Sequence, residues 1–304
     1  MPELPDVEVY VAALVTRILG RRLAGVRLKS PFLLRSAVPP LASATGREVR
    51  AIARLGKRIA FTLGPSPRPG EAEHLFLVLH LMIAGRLHWK DRGAALTKRT
   101  DLAGFDFENG TLLLTEAGTK KRASLFVVVD EAGLAAHDRG GLEPLTCDLA
   151  AFTERLLASR HTLKRALCDP RSFSGIGNAY SDEILHRARL SPLQLARNLE
   201  PAEVARLFEA ARVTLLEWLE RLRAQAGERF PEKVTAFRPE MAVHGRFGQP
   251  CPVCSAPIQR IVRAENEVNY CPRCQTDGRI LKDRALSVLL KDDWPSTLEE
   301  LEER

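Results

Sequence analysis

Cys251-Pro252-Val253-Cys254 and Cys271-Pro272-Arg273-Cys274, two Cys-x-x-Cys pairs sixteen residues apart, decide how the last part of the chain folds. Four thiolates at this spacing complete a tetrahedral zinc ion and leave no coordination position open. The predicted site is therefore structural: one Zn2+ held by Cys251, Cys254, Cys271 and Cys274. So short a segment cannot build a core of its own, and the metal takes its place. Between the pairs, Ile258 to Tyr270 predicts a hairpin with its tip near Glu265-Asn266-Glu267. Cys147 and Cys168 stand alone and read as ordinary thiols.

Upstream of the first pair the chain reads as helices. Ala151 to Ala158, Leu163 to Cys168 and Asn178 to Ala188 are short ones, the last preceded by the turn Arg171-Ser-Phe-Ser-Gly-Ile-Gly-Asn178. A Gly-x-Gly-Asn at a helix start presents backbone N–H groups to an anion. Val204, Leu207, Phe208, Ala211, Leu215, Trp218, Leu219 and Leu222 mark a longer amphipathic helix, closed near Gly227. Further back, Ala135 to Leu149 loses periodicity around Gly140-Gly141 and Pro144, which places a domain boundary there.

Before that boundary the pattern is one of short apolar runs. They are Val49 to Leu55, Arg58 to Leu63, Leu75 to Leu81, Phe105 to Phe107, Leu112 to Leu114 and Leu125 to Val129, with Asn109-Gly110 as a hairpin signal. This half predicts a β-sandwich or barrel-like domain. Val7, Val11, Leu14 and Ile18 recur at helical spacing, so one helix from Asp6 to Gly20 precedes the strands.

At 304 residues with 45% hydrophobic residues, the chain is long enough for about two domains with real cores. Lys and Arg outnumber Asp and Glu by 45 to 38, for a net charge of +7, which favours a polyanionic partner. The longest apolar run, Leu75 to Ala84, is interrupted by His80 and too short to span a bilayer. No membrane partner is expected, and the protein is placed in the cytoplasm, at the nucleoid if the source is bacterial.

The chemistry is predicted at the other end. The chain opens Met1-Pro2-Glu3-Leu4-Pro5-Asp6-Val7-Glu8, and a small second residue permits removal of Met1, leaving Pro2 as a terminal secondary amine. An α-amino group has a reference pKa of about 7.7 to 8.0 against about 10.4 for lysine, so a large fraction is unprotonated and nucleophilic near neutral pH. Attack on a sugar C1′ gives an iminium ion that draws electrons from C2′, so base loss and strand cleavage share one intermediate. Glu3 can deliver a proton to the sugar ring oxygen as the ring opens.

Pro2-Glu3-Leu4-Pro5, Leu55-Gly-Lys57, His80-Leu81, Gly175-Ile-Gly-Asn178 with Glu183 beyond it, and the two zinc knuckles occur in this order in one chain. The chain resembles the formamidopyrimidine-DNA glycosylase and endonuclease VIII family, from Pro2 to about Gln275. The resemblance implies an α+β multidomain fold: an N-terminal β-sandwich with an N-terminal helix, then a helical helix-two-turns-helix domain with a C-terminal zinc finger. Its bounds here would be 1–135 for the catalytic β-sandwich, 136–150 for a linker, 151–240 for the helical domain, 241–278 for the zinc finger and 279–304 for an extension. It also implies a bifunctional DNA glycosylase and abasic-site lyase of base excision repair, monomeric, acting on damaged double-stranded DNA whose target nucleotide is flipped out. Pro2 would be the Schiff-base nucleophile, Glu3 the acid and base, Lys57 a group near the reacting nucleotide, and Asn178 a phosphate ligand. His80 stays a core histidine.

Departures from the family pattern concern recognition of the lesion. Asn266 stands where the family has a phosphate-binding arginine, leaving Arg263 or Arg260 to substitute. Ile83, beside Met82, takes the place of a methionine that fills the gap left by the flipped base, and Thr119 to Leu125, with Lys121 and Arg122, has no aromatic. Arg223 to Met241 does not match the loop that caps 8-oxoguanine. The alternative reading is a non-catalytic damaged-DNA-binding protein that retains the fold. A zinc-ribbon transcription or replication factor explains the cysteines but not the amino terminus.

Overall fold

The computed structural model describes residues 1–67, 72–232, 234–235, 237–263, 266–282 and 295–302. They divide into two compact units, Met1–Arg139 with Trp218–Thr235, and Gly140–Glu217 with Ala236–Arg304. Among the described residues no helix is long and apolar enough to cross a membrane.

The first unit begins with α1 (Leu4–Ile18), two residues earlier than the apolar spacing suggests. Pro5 in the first turn costs no hydrogen bond there, and Glu3 caps the helix. Tyr10, Leu14 and Ile18 lie on one face and are fully buried. Among the described residues eight strands follow: β1 (Gly25–Leu28), β2 (Val49–Leu55), β3 (Arg58–Leu63), β4 (Leu75–His80), β5 (Gly85–Lys90), β6 (Asp101–Phe107), β7 (Gly110–Glu116) and β8 (Ser124–Val128). They form two four-stranded sheets in the orders β1-β6-β7-β5 and β2-β3-β4-β8. Every strand pairing is antiparallel. Inward residues of both sheets, such as Phe61, Leu77, Phe105 and Leu112, make one core with α1, a β-sandwich.

The hairpin at Asn109-Gly110 forms, but Gly110 does not serve a left-handed turn. It pairs with Phe107 inside the ladder, and a Cβ there would run into the Trp89 ring. A short helix, α2 (Glu131–Ala135), follows β8. Phe230 and Val234, beyond the long helix, are buried in the same sandwich core, and this brings Trp218–Thr235 into the first unit.

The second unit holds α3 (Leu149–Leu157), α4 (Leu163–Cys168), α5 (Asn178–Ala188) and most of α6 (Pro201–Ala226). Its zinc module has β9 (Gln259–Arg263) antiparallel to β10 (Asn266–Tyr270), then α7 (Pro272–Thr276) and α8 (Leu298–Glu302). Leu298 is buried with Val243, Cys251, Ala256, Ile258 and Cys271. The end of the chain thus completes the core that the knuckles and hairpin lack. A short helix suggested by the spacing of Ile280, Leu281, Leu286, Leu289 and Leu290 lies, from residue 283 on, outside the described residues.

Candidate active site and zinc centre

The amino terminus is held by the first turn of α1. The Glu3 N–H donates to the Asp6 carboxylate at 3.0 Å, and the Glu3 carboxylate accepts in return from the Asp6 N–H. Glu3 and Asp6 are both buried, at 2% and 1% exposure, and Pro2 beside them is buried too. A reciprocal capping box satisfies two helix-end donors and fixes the carboxyl of Glu3 next to the terminal amine.

Two further bonds fix the surroundings of that amine. Arg54 on β2 pairs with Glu8 of α1 at 2.6 Å and donates to the Gly56 carbonyl at 3.0 Å. This ties down the tight turn at Gly56 (φ +62°) and Lys57 that joins β2 to β3. Leu87 N–H donates to the Tyr10 hydroxyl at 3.3 Å, which ties α1 to β5 and so places Arg86. The terminal amine, carried by Met1 in this sequence, has its pKa lowered by burial first, against the attraction of Glu3, with Arg86 and Lys57 lowering it further. An amine so placed is more often unprotonated near neutral pH than one in water.

Arg86 was not legible as a site residue because its strand was not. Gly85–Lys90 has only Leu87 and Trp89 on its inner side, with Arg86, His88 and Lys90 alternating outward, too short a pattern to stand out. Arg86 also donates to the carbonyls of Ile83 and Gly85, at 3.1 and 2.7 Å, and so clasps the turn before β5. In that turn Met82 takes a left-handed conformation (φ +53°) that costs a non-glycine residue on the order of 1 kcal/mol. The turn leaves Ile83 52% exposed, a large apolar side chain facing solvent.

Lys121 and Arg122 lie in the β7–β8 loop, organised by the buried carboxylate of Glu116. It accepts from the N–H groups of Arg122 at 3.0 Å and Ala123 at 3.2 Å, while the Lys121 ammonium donates to the Glu116 carbonyl. His80, at the end of β4, is half-buried, and burial followed by repulsion from Arg58 and Lys57 pushes its pKa down to about 4.

In the second unit, Gly175 (φ +77°) and Gly177 lead into α5, and Asn178 is its first residue. The Asn178 Nδ2 donates to the Glu267 carbonyl at 2.9 Å, so this side chain braces the helix start against β10. Glu183, one turn on, accepts from the N–H groups of Ala242, Val243 and His244 at 2.7 to 2.9 Å. Asp182, fully buried, pairs with Lys164 at 2.5 Å and His244 at 2.8 Å. Neither Lys164 nor His244 carried a signal in the sequence, since only the fold brings them to Asp182.

The Sγ atoms of Cys251, Cys254, Cys271 and Cys274 lie within 4.8 Å of one another. The Cys251–Cys274 and Cys254–Cys271 separations are 3.9 and 3.4 Å. A zinc–sulfur bond of about 2.3 Å implies sulfurs about 3.8 Å apart on a regular tetrahedron, so the four thiols fit the ion. On the hairpin, Arg263 and Asn266 are Cα partners, and Arg260 pairs with Glu267 at 3.1 Å and lies 4.4 Å from the Phe247 ring centroid.

Three family models match the chain in this order: the formamidopyrimidine-DNA glycosylase N-terminal domain over residues 1–120, the formamidopyrimidine-DNA glycosylase H2TH domain over 141–227, and the zinc finger found in FPG and IleRS over 248–276. The formamidopyrimidine-DNA glycosylase of Thermus thermophilus is 34% identical over 289 residues, covering 91% of this chain and 100% of that protein. The chain belongs to the formamidopyrimidine-DNA glycosylase family. That of Listeria innocua is 28% identical over 288 residues, covering 90% of this chain and all of its own length. Among solved structures, the crystal structure of the MutM (Fpg) protein of Thermus thermophilus superposes with a TM-score of 0.73 at 32% identity, covering 90% of this chain and 98% of that one. MutM in complex with DNA containing carbocyclic 8-oxo-G gives 0.76 at 25% identity, covering 90% and 100%. The family's β-sandwich, H2TH helices and zinc finger are the elements described above.

Proposed function

We propose that the chain is a bifunctional DNA glycosylase and abasic-site lyase of base excision repair, acting on damaged double-stranded DNA. The observation that carries this is Glu3, buried and bonded into the first turn of α1 beside a terminal amine whose pKa is lowered. After removal of Met1 the terminal amine becomes the Pro2 nitrogen, one residue on and buried in the same surroundings. It attacks C1′ of the damaged nucleotide, the base departs with a proton, and loss of the amine proton leaves a neutral aminal, which becomes the iminium ion when the C1′–O4′ bond breaks. Glu3 protonates the ring oxygen as the sugar opens. The iminium acidifies C2′, and loss of a proton there expels the 3′ phosphate, cutting the strand. Lys57 holds positive charge beside the amine and the neighbouring phosphate.

Asn178 binds phosphate at the start of α5, and the hairpin pair Arg263 and Asn266 contributes a second contact, the guanidinium of Arg263 supplying the charge that Asn266 lacks. Met82, Ile83, Lys121 and Arg122 fill the gap left when the nucleotide is flipped. One zinc ion, structural, holds the knuckles together. The enzyme works as a monomer, in the cytoplasm, at the nucleoid if the source is bacterial. A non-catalytic damage-binding protein has no use for a buried carboxyl beside a depressed terminal amine.

Borohydride trapping on abasic DNA tests this reading. A covalent complex is expected, with peptide mapping placing it on Pro2. An adduct on Lys57 would sink the nucleophile assignment. Protein that keeps residues before Pro2 should form no adduct, because an amide nitrogen cannot become an iminium ion.

A further inference from the structure

Along α5 and its C-terminal turn, every fourth residue meets the zinc module. Asn178 Nδ2 donates to the Glu267 carbonyl at 2.9 Å, Asp182 accepts from Asn269 Nδ2 at 3.4 Å, His186 Nε2 lies 3.3 Å from Cys251 Sγ, and the Leu190 carbonyl accepts from Gln275 Nε2 at 2.9 Å. Residues four apart share one face of a helix, so these contacts form a single polar stripe. Three of its four partners lie on the hairpin or just past it. The third contact differs in kind, since it ends on a sulfur of the zinc site.

His186 and Cys251 are 6% and 2% exposed, so water does not replace either partner. A zinc-bound thiolate carries no proton, and the hydrogen of this contact therefore comes from the imidazole Nε2–H. Four thiolates on one Zn2+ leave a net charge of about −2 on the cluster, which N–H donors to sulfur help to spread. Backbone donors are present, with Val253 N 3.5 Å from Cys251 Sγ and Cys274 N 3.4 Å from Cys271 Sγ. His186 adds a side-chain donor from a different element, eight residues along α5 from Asn178.

We infer that His186 is the outer partner of the Cys251 thiolate: a positioning residue that tightens zinc binding and keys α5 to the metal. This rests on the reading of the four cysteines as a zinc site. Loss of an outer-sphere partner lowers metal affinity by about 10- to 100-fold in comparable sites. A role limited to packing predicts no such dependence on the N–H group.

The test is zinc transfer from the full-length, zinc-loaded protein to a chromogenic chelator. His186→Phe fills the ring volume without a donor, and His186→Gln keeps N–H donors. His186→Phe should bind zinc about 10- to 100-fold more weakly, with His186→Gln within about threefold of the wild type. His186→Leu serves as a second donor-less variant if the phenylalanine does not fold. Zinc held as tightly by the donor-less variant as by the wild type overturns the inference, and so does equal weakening of His186→Gln, which would mean packing. A wild-type protein that contains no zinc by metal analysis overturns the zinc reading itself, a result distinct from either.

Discussion

The Glu3 backbone N–H donates to the Asp6 carboxylate at 3.0 Å, with the Glu3 carboxylate accepting from the Asp6 N–H in return. The bond places a carboxyl at a helix start and beside the chain terminus at once. Asp6→Ala should lower the stability of the first unit by about 0.5 to 2 kcal/mol, as loss of a cap does, measured by urea denaturation. It should slow base excision more than cleavage of preformed abasic sites, because Glu3 loses its fixed position. Glu3→Gln should abolish base removal and keep part of the abasic cleavage, where the aldehyde already exists. Equal loss of both activities in single-turnover assays would contradict this division of labour.

Protonation of the amine sets the pH dependence of adduct formation. Only the unprotonated amine attacks, and the burial, Arg86 and Lys57 that lower the pKa of the Met1 amine would act likewise on the Pro2 nitrogen one residue on. The rate of borohydride-trapped adduct should therefore rise with pH and level off below the ordinary α-amino range of about 7.7 to 8.0. Arg86→Gln removes a cation that disfavours the protonated form, so its rising limb should move to higher pH. A limb unchanged in that variant would count against the arrangement.

Stability below neutrality should depend on His80. Its pKa falls from 6.5 to about 4 in the folded chain, with burial the first cause. The unfolded chain takes up a proton as pH drops below about 6.5 while the folded one does not, so this contribution is complete above that pH and is lost toward pH 4. A shift of this size corresponds to something on the order of 3 kcal/mol. His80→Asn should flatten the fall in urea midpoint between neutral and acid pH.

Zinc removal should act locally. The knuckle cysteines belong to the second unit, and among the described residues the sandwich core draws on none from the zinc module. Chelation, or Cys271→Ser, should strip hydrogen-exchange protection from 248–282 and weaken DNA binding while β2 to β8 stay protected. Loss of protection in the sandwich would show that the two units are not independent.

Lesion choice should differ from that of relatives that cap 8-oxoguanine. The segment after α6 is drawn into the sandwich, with Phe230 and Val234 buried and Glu232 paired to His88 on β5 at 2.5 Å. Base contacts are worth about 1 to 3 kcal/mol each, so each contact that a capping loop would have supplied costs about 5- to 150-fold in rate when it is missing. Ring-saturated pyrimidines, formamidopyrimidines and abasic sites should be processed faster than 8-oxoguanine opposite cytosine. Single-turnover rates on matched duplexes decide it, with 8-oxoguanine fastest as the contrary outcome.

The sequence by itself determined what is local. Cysteine spacing picks out the four thiols that could hold zinc, apolar period separates the strands before Asp130 from the helices after Asp148, and the chemistry proposed for Pro2 and Glu3 lies within two residues. Each of these depends on neighbours along the chain or on a single ion. Only the tertiary structure decided the contacts between residues far apart: Arg54 with Glu8, Leu87 with Tyr10, Asp182 with Lys164 and His244, and His186 with Cys251. A polar side chain has no period that betrays its partner. Burial removes water as the alternative, so each of these groups must find a protein partner, and the fold alone settles which one.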